Sequence, residues 1–569
     1  MQKLRCSWKT AYGCLGVLAV LLIFRAFFGV DYTDESFYFA LAKRFAMGDQ
    51  ILVDEWFPTQ LIGVLLLPFY RLYVGLCGSQ EGIILAARLC YVGFSVLVAG
   101  YMLAVFRKES RSCGYSFLAA AMCCIYVRAG IGTFSYYSLG LETFLLFLLL
   151  WTDGKHAKRP EILWVLAGVN FSISVICMPY LVLVFGVLVV VYLWRRKRVW
   201  PEKDGICFCL GIALISAFFF VGIGPDLIKG FQNIPKILMD PLHQGTVWEK
   251  LTDMMSYLCF TYLKYTWPLY GVTFVTGIAV WRKKISQQKW IFFYKGIVYL
   301  EFFVQAVYVR NFFEGGIIVA VLLLAVQIWL ASTPSLKKHS MERLFLSAGL
   351  GFSVVWILGS NVGIRVLNMG VLLADIWALY VLLEDSKKGE KIFCYLRDGV
   401  IILLFGVLIL NRFLDVYRDS AIWRLDTQVS RGSMKYLFTT AHRAEEYEQT
   451  IQELERYMTK EDRLAVPGLH PWIYLETPAR CGAYSVWKVD FTDERNWSYY
   501  KKYTENIPSI VLVLKDGYGR YDAWRYTSHG SNPEGSLSVP AEGYLEELIQ
   551  MKQGEQITGS TGIFYKITR

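Results

Sequence analysis

Two acidic pairs stand close together early in the chain: Asp34-Glu35 in VDYTDESFYFALAKRFAMGDQ (30–50) and Asp54-Glu55 in VDEWFPTQ (53–60). A carboxylate can take the proton from a hydroxyl as a general base, and a second one can orient that hydroxyl or share a hard divalent cation. Asp34 is the candidate base, with Glu35 and Asp54 beside it, and a cation between Asp34 and Asp54 is the metal site these residues suggest. Arginines stand at the ends of apolar runs, namely Arg25, Arg88, Arg128, Arg310 and Arg365. A guanidinium there binds a phosphate or pairs with an acid. Arg310, in VYVRNFFEGG, and Arg365, in GSNVGIR, flank short polar turns and are the preferred phosphate ligands, with Arg88 in AARL. The plain alternatives are solvated loop carboxylates and arginines that reach for lipid headgroups.

What must position these groups is a membrane body. Of 569 residues, 55% are hydrophobic, 16% aromatic and only 18% charged, against about a quarter charged in soluble chains. The net charge of +11 comes from Lys and Arg clustered between apolar runs, which excludes a nucleic-acid footprint and fits cytoplasmic loops. The thirteen Cys lie mostly inside apolar segments, where a thiol acts as a small hydrophobe. No C-x-x-C pair accompanies spaced His, so no structural zinc is expected.

Apolar runs predict about thirteen spans, beginning near 11–30 and 83–106 and ending near 393–411. The run LIGVLLLPFYRLYVGL (61–76), interrupted by Pro68 and Arg71, decides the orientation. Read as an interfacial helix, it leaves RKESR (107–111), DGKHAKR (153–159) and every later basic loop in the cytoplasm with the N-terminus. Residues 31–82 then form one long outer loop, and everything after Asn411 is outside as well. From about Arg412 the composition turns polar. EEYEQTIQELERYM (445–458) has helical spacing, while DRLAVPG (462–468) and SIVLVLKDG (509–517) read as buried strands ending at turns. The expected fold class is an all-α polytopic membrane protein with a small C-terminal extracytoplasmic α/β domain, divided as 1–411 and 412–569.

In the first outer loop, Asp34 is a plausible N-cap and Phe37, Tyr38, Leu41 and Phe45 recur at helical spacing, with Lys43 and Arg44 on the other side. That pattern predicts a helix resting on the lipid surface and stopping at Gly48.

The ordered set resembles a known family. An Asp-Glu pair directly after the first span leads into an aromatic-bearing helix ending in Gly-Asp. A Trp/Pro turn, an interfacial helix and A-A-R-L at the second span complete the set. Over about residues 11–110 this is similar to the first outer loop of the GT-C membrane glycosyltransferases, especially the protein O-mannosyltransferase and lipid A aminoarabinose transferase branch. The resemblance implies an inverting transferase that moves a sugar from a polyprenyl-phosphate donor to a lipid, glycan or protein acceptor on the outer face of a cell membrane. Asp34 matches the family's catalytic Asp and Glu35 its companion, and Asp54 or Glu55 falls where several members place a second acid. The chain departs from the aminoarabinose branch at Trp56-Phe57-Pro58-Thr59, where that branch has Lys-Pro-Pro, so phosphate contacts must come from elsewhere. A transporter or lipid flippase, the competing reading, predicts internal repeats and paired broken helices at mid-membrane depth.

Overall fold

The computed structural model describes residues 7–196, 202–238, 246–281, 286–309, 311–331, 340–359, 366–386, 391–489, 494–515, 544–551 and 553–567. The body is helical: α1 (Trp8–Ala26), α2 (Asp34–Ala46), α3 (Leu61–Cys77), α4 (Ile83–Lys108), α5 (Cys113–Ile125), α6 (Tyr136–Gly154), α7 (Glu161–Cys177), α8 (Leu181–Arg196) and α9 (Glu202–Gly230) come first. They are followed by α10 (Ile234–Leu238), α11 (Val247–Tyr257), α12 (Trp267–Trp281), α13 (Gln287–Tyr308), α14 (Gly316–Leu330), α15 (Ser340–Gly359), α16 (Leu367–Ser386) and α17 (Lys391–Phe413). Among the described residues, seven helices are long and apolar enough to cross a bilayer, and five more apolar helices are shorter. The chain is a multi-pass membrane protein. Among the most extensive helix packings are α6 on α7 and α15 on α16, which are neighbours in the chain, and α7 on α9 and α14 on α16, which are not.

The apolar stretch 255–281, one of the expected spans, is not one continuous α-helix. α11 and α12 are separated by a π-helical segment, Leu258–Leu263, in which Tyr262 turns its hydroxyl to the Gly316 carbonyl at 3.1 Å. Such π segments are rare, and they disrupt the regular ladder of an α-helix.

Past α17 the chain forms a strand pair, β1 (Thr427–Gln428) with β2 (Phe438–Thr439), and then the helix α18 (Ala441–Tyr457). Next come β3 (Arg463–Ala465), α19 (Pro471–Glu476), β4 (Arg480–Cys481), α20 (Glu494–Lys502) and β5 (Ile510–Leu514). α21 (Tyr544–Met551), β6 (Gln553–Thr558) and β7 (Gly562–Ile567) close the chain. The sheet order is β4-β3-β5-β7-β6; β3 runs parallel to β4 and β5, whereas β7 is antiparallel to β5 and β6. Every residue of β5 is buried, as expected for a strand covered on both faces.

The structure corrects the picture of α2 as a helix lying on lipid. α3, α4 and α19 pack around it, and Glu35 through Phe45 are all buried. The approach of α3 is close: a Cβ at Gly63 would stand 2.6 Å from the Leu41 Cβ. Lys43 and Arg44, the expected solvent face, are inside too. The Lys43 ammonium donates to the carbonyls of Leu475 and Thr477 at the end of α19, at 2.7 and 2.6 Å. Nor does Asp34 cap its helix. Thr33 is the N-cap residue, and the Asp31 carboxylate accepts the N–H groups of Thr33 and Glu35, both at 2.9 Å.

The burial of α2 has its physical reason in the C-terminal segment, which covers the loop, whereas the cap is settled locally by Asp31. Arg44 pairs with Glu55 at 2.8 Å, with both side chains almost fully buried, and also with Asp49 at 2.8 Å. The same guanidinium donates to the Ala483 carbonyl at 3.0 Å, while the Trp56 N–H donates to the Tyr484 carbonyl at 2.8 Å. Trp56 is wholly buried, which alone removes enough apolar surface to contribute about 5 kcal/mol. Helical periodicity cannot reveal a cover that arrives more than four hundred residues later.

Candidate active site

From Gly29 to Phe45 one residue only is not fully buried, and it is Asp34. It lines a cavity of about 1310 Å³ that reaches from the N-terminus of α2 to the ends of α7, α8 and α10. Its carboxylate is held at Oδ2, which accepts from the Tyr417 hydroxyl at 2.6 Å and lies 3.5 Å from a guanidinium nitrogen of Arg418. Arg418 also donates to the Thr33 hydroxyl, fixing the residue before the acid. Tyr417 and Arg418 come from LDVYRDS (414–420), directly after α17. The fold thus closes the site by bringing the exit of the last body helix against the exit of the first.

Arg25 makes that closure. From the last turn of α1 it donates to the Arg412, Phe28 and Asp415 carbonyls at 3.0, 2.7 and 3.1 Å, joining the ends of α1 and α17. Arg88, on α4, holds the loop that follows α1. Its guanidinium donates to the carbonyls of Ala26 (2.9 Å), Phe28 (3.2 Å) and Gly29 (2.9 Å), and it grips both carboxylate oxygens of Glu35. Arg88 and Glu35 therefore form a buried structural pair around a second, water-sized cavity of about 20 Å³.

Two other cations do face the large cavity. Arg128, in the 3-10 turn between α5 and α6, lies with its Cζ 3.8 Å from the Tyr137 ring centroid and carries no ion pair among the described residues. Arg412, in the last turn of α17, lines both cavities, and its Nε is buried with no hydrogen-bond partner. Its guanidinium passes over Gly132, where a Cβ would stand 3.1 Å from Nη1. Guanidinium groups cannot shed their charge, so a buried one with open valences attracts an anion.

The remaining predicted residues separate from this group. Asp54 does not line the cavity. One of its oxygens accepts from the Asn506 side chain at 2.7 Å and the other from the Gln50 N–H at 2.6 Å, so it ties the first loop to the C-terminal segment. Arg310 and Arg365 lie outside the described residues, as does most of the turn preceding Arg365. The sequence reading missed Arg412, Tyr417 and Arg418 because it ended the body at 411; the aromatic and charged run 412–419 directly after an apolar helix was the available signal.

For a divalent cation the acids present fit poorly. Asp31 accepts from the Thr33 N–H and hydroxyl and from the Glu35 N–H, Glu35 is taken by Arg88, and Asp54 is engaged elsewhere. Among the described residues no three His, Cys, Asp or Glu converge as a metal-binding group. Burial, then the charges of Asp34 and Glu35, push the Asp31 carboxyl up to about 6. The Tyr417 hydroxyl is pushed well above its usual range by burial and by Asp34, so it remains a proton donor to that carboxylate.

The apolar lining comes from a different set of elements, including Ile176 of α7, Leu181 of α8, Leu227 of α9 and Ile237 of α10. The volume exceeds the roughly 300–1,000 Å³ of ordinary small-molecule pockets. Charged groups at Asp34, Arg128, Arg412 and Arg418 and this stretch of hydrocarbon line one cavity, which suits an amphipathic ligand.

No family model matches this sequence, and no curated protein matches it. Among solved structures, ArnT from Cupriavidus metallidurans in the apo state is similar at 14% identity with a TM-score of 0.37, over 89% of this chain and 93% of that one. The same protein bound to undecaprenyl phosphate gives 13% identity and a TM-score of 0.33, over 88% and 92%. The archaeal oligosaccharyltransferase AglB from Archaeoglobus fulgidus, in complex with an inhibitory peptide and a dolichol-phosphate, gives 12% and 0.42, over 89% and 69%.

Proposed function

We propose that this chain is a membrane glycosyltransferase of the GT-C kind that moves a sugar from a polyprenyl-phosphate donor to an acceptor hydroxyl, with inversion at the sugar carbon. The observation that supports it most directly is the isolation of Asp34. Of the acids in the first loop it alone faces the large cavity, and Tyr417 and Arg418 hold it there. The apolar lining accepts the polyprenyl chain, and the lipid bilayer is the donor's route of entry.

Asp34 takes the proton from the acceptor oxygen as that oxygen attacks the sugar carbon, and the bond from that carbon to the phosphate oxygen breaks. The departing phosphate carries away the electron pair. Arg128 and Arg412 face its developing charge as preset cations lining the cavity. Tyr417 and Arg418 set the direction of the Asp34 carboxylate. Glu35 and Arg88 act at a distance, fixing the backbone that presents Asp34. The reading places the site and the C-terminal segment on the extracytoplasmic side of a cell membrane, with the N-terminus in the cytoplasm.

The test incubates the purified chain with labelled polyprenyl-phosphate sugars and follows release of the lipid phosphate. The wild type should release it and Asp34→Asn should not, while the variant keeps its membrane insertion. Equal release by the two proteins would reject Asp34 as the base.

A further inference from the structure

The C-terminal sheet unit reaches into the cavity with an aromatic side chain. Trp487 lines the cavity and is only half-buried, whereas Trp56 and Trp472 nearby are closed off completely. Its ring meets Phe37 edge-on, with centroids 4.9 Å apart, and Phe57 at 5.7 Å with a 37° tilt. Phe37 follows Asp34 by three residues on α2, so ring and carboxylate share one helix face.

The backbone carrying Trp487 is fixed on both sides. Before it, the buried Glu55 carboxylate accepts the Val486 N–H at 3.1 Å and the Arg44 guanidinium at 2.8 Å, and its other oxygen takes the Phe57 N–H at 3.1 Å. After it, Val489 and Gly468 exchange N–H and carbonyl at 3.1 and 2.8 Å. Burial raises the Glu55 carboxyl against the opposing charge of Arg44, so this arrangement costs desolvation. Unlike the wholly buried Trp56, the held Trp487 keeps part of its surface open to the cavity. A partly open indole beside polar groups in a cavity suits a ligand that is apolar on one face and hydroxylated at its rim.

We infer that Trp487 is the stacking platform for a pyranose ring of the acceptor, and that the acceptor is therefore a glycan. The inference rests on the glycosyl-transfer reading. Asp34 must touch the acceptor rather than the donor, and Phe37 stands on the Asp34 helix face with Trp487 packed against it. Arg128 and Arg412, which carry no ion pair among the described residues, belong to the turn after α5 and to α17, and they draw the donor phosphate there. Glu55 and Arg44 are positioning residues acting through the Val486 backbone.

The experiment uses the full chain in lipid nanodiscs and saturation-transfer NMR with two probes, a panel of methyl pyranosides and a Ser/Thr-containing peptide. Ring protons of at least one pyranoside should saturate with wild type and with Trp487→Phe, and the effect should fall about fivefold in Trp487→Leu, which keeps apolar bulk but loses the ring. No pyranoside signal with wild type, an equal signal with Trp487→Leu, or Trp487-dependent saturation of the peptide instead would each overturn the inference. Donor phosphate release by Asp34→Asn is read separately, so loss of the general reading is distinguishable from loss of this one.

Discussion

The Tyr417 hydroxyl donates to the Asp34 carboxylate across 2.6 Å, joining residues separated by nearly the whole membrane body. Because hydrogen bonds to charged groups are worth about 1.5–3 kcal/mol, Tyr417→Phe should lower kcat about tenfold or more while donor KM stays near the wild-type value. Asp34→Asn should lose about 10²- to 10⁴-fold. A Tyr417→Phe enzyme with unchanged kcat would remove Tyr417 from the site.

Arg128 stands on Tyr137 with no carboxylate partner among the described residues. Removing a cation aimed at developing charge costs about 10²-fold in kcat, so Arg128→Ala should approach that loss and Arg128→Lys recover part of it. Steady-state release of lipid phosphate measures both. Normal turnover by Arg128→Ala would assign the leaving group to other side chains.

The Arg88–Glu35 pair is predicted to act on stability. Arg88→Ala leaves Glu35 buried without its partner, at a cost of about 3–5 kcal/mol. Glu35→Gln combined with Arg88→Met should regain much of the loss. Denaturant or thermal unfolding in detergent reads the difference, and a fully stable Arg88→Ala protein would contradict it.

Asp31 gives a pH dependence with a definite sign. Burial, with Asp34 and Glu35, holds its carboxyl at about 6, above the 3.8 of an unfolded chain. Stability from the protonated form is present below the ordinary carboxylate range and is lost as pH rises through about 6. Relative to Asp31→Asn, the wild type should therefore lose thermal stability between about pH 4 and 6. Parallel melting profiles for the two proteins would show that Asp31 is not perturbed.

Orientation can be read with cysteine labels. Lys460→Cys, exposed after α18, should react with an impermeant reagent from outside intact cells, and Lys158→Cys only after the membrane is opened. The reverse pattern would invert the topology.

The membrane body was legible in the sequence because a bilayer imposes a length and an apolarity on every span that a run of residues shows directly. α18 was legible from its helical spacing, and β3 and β5 as short apolar runs ending at turns. The β6–β7 hairpin was not read, because its turn and alternation are weak in QGEQITGSTGIFYKIT. Asp34 could be singled out from its place just after the first span.

What the sequence could not decide was which charges are open and which are closed. Asp34 and Glu35 are neighbours in the chain, yet a helix turns adjacent side chains about 100° apart, sending one to the cavity and the other to Arg88. Asp54 and Glu55 read like a second catalytic pair and instead hold the C-terminal segment down. Burial and pairing of charges depend on what packs from far along the chain, and only the tertiary structure brings residues 417, 418 and 487 to the end of the first span.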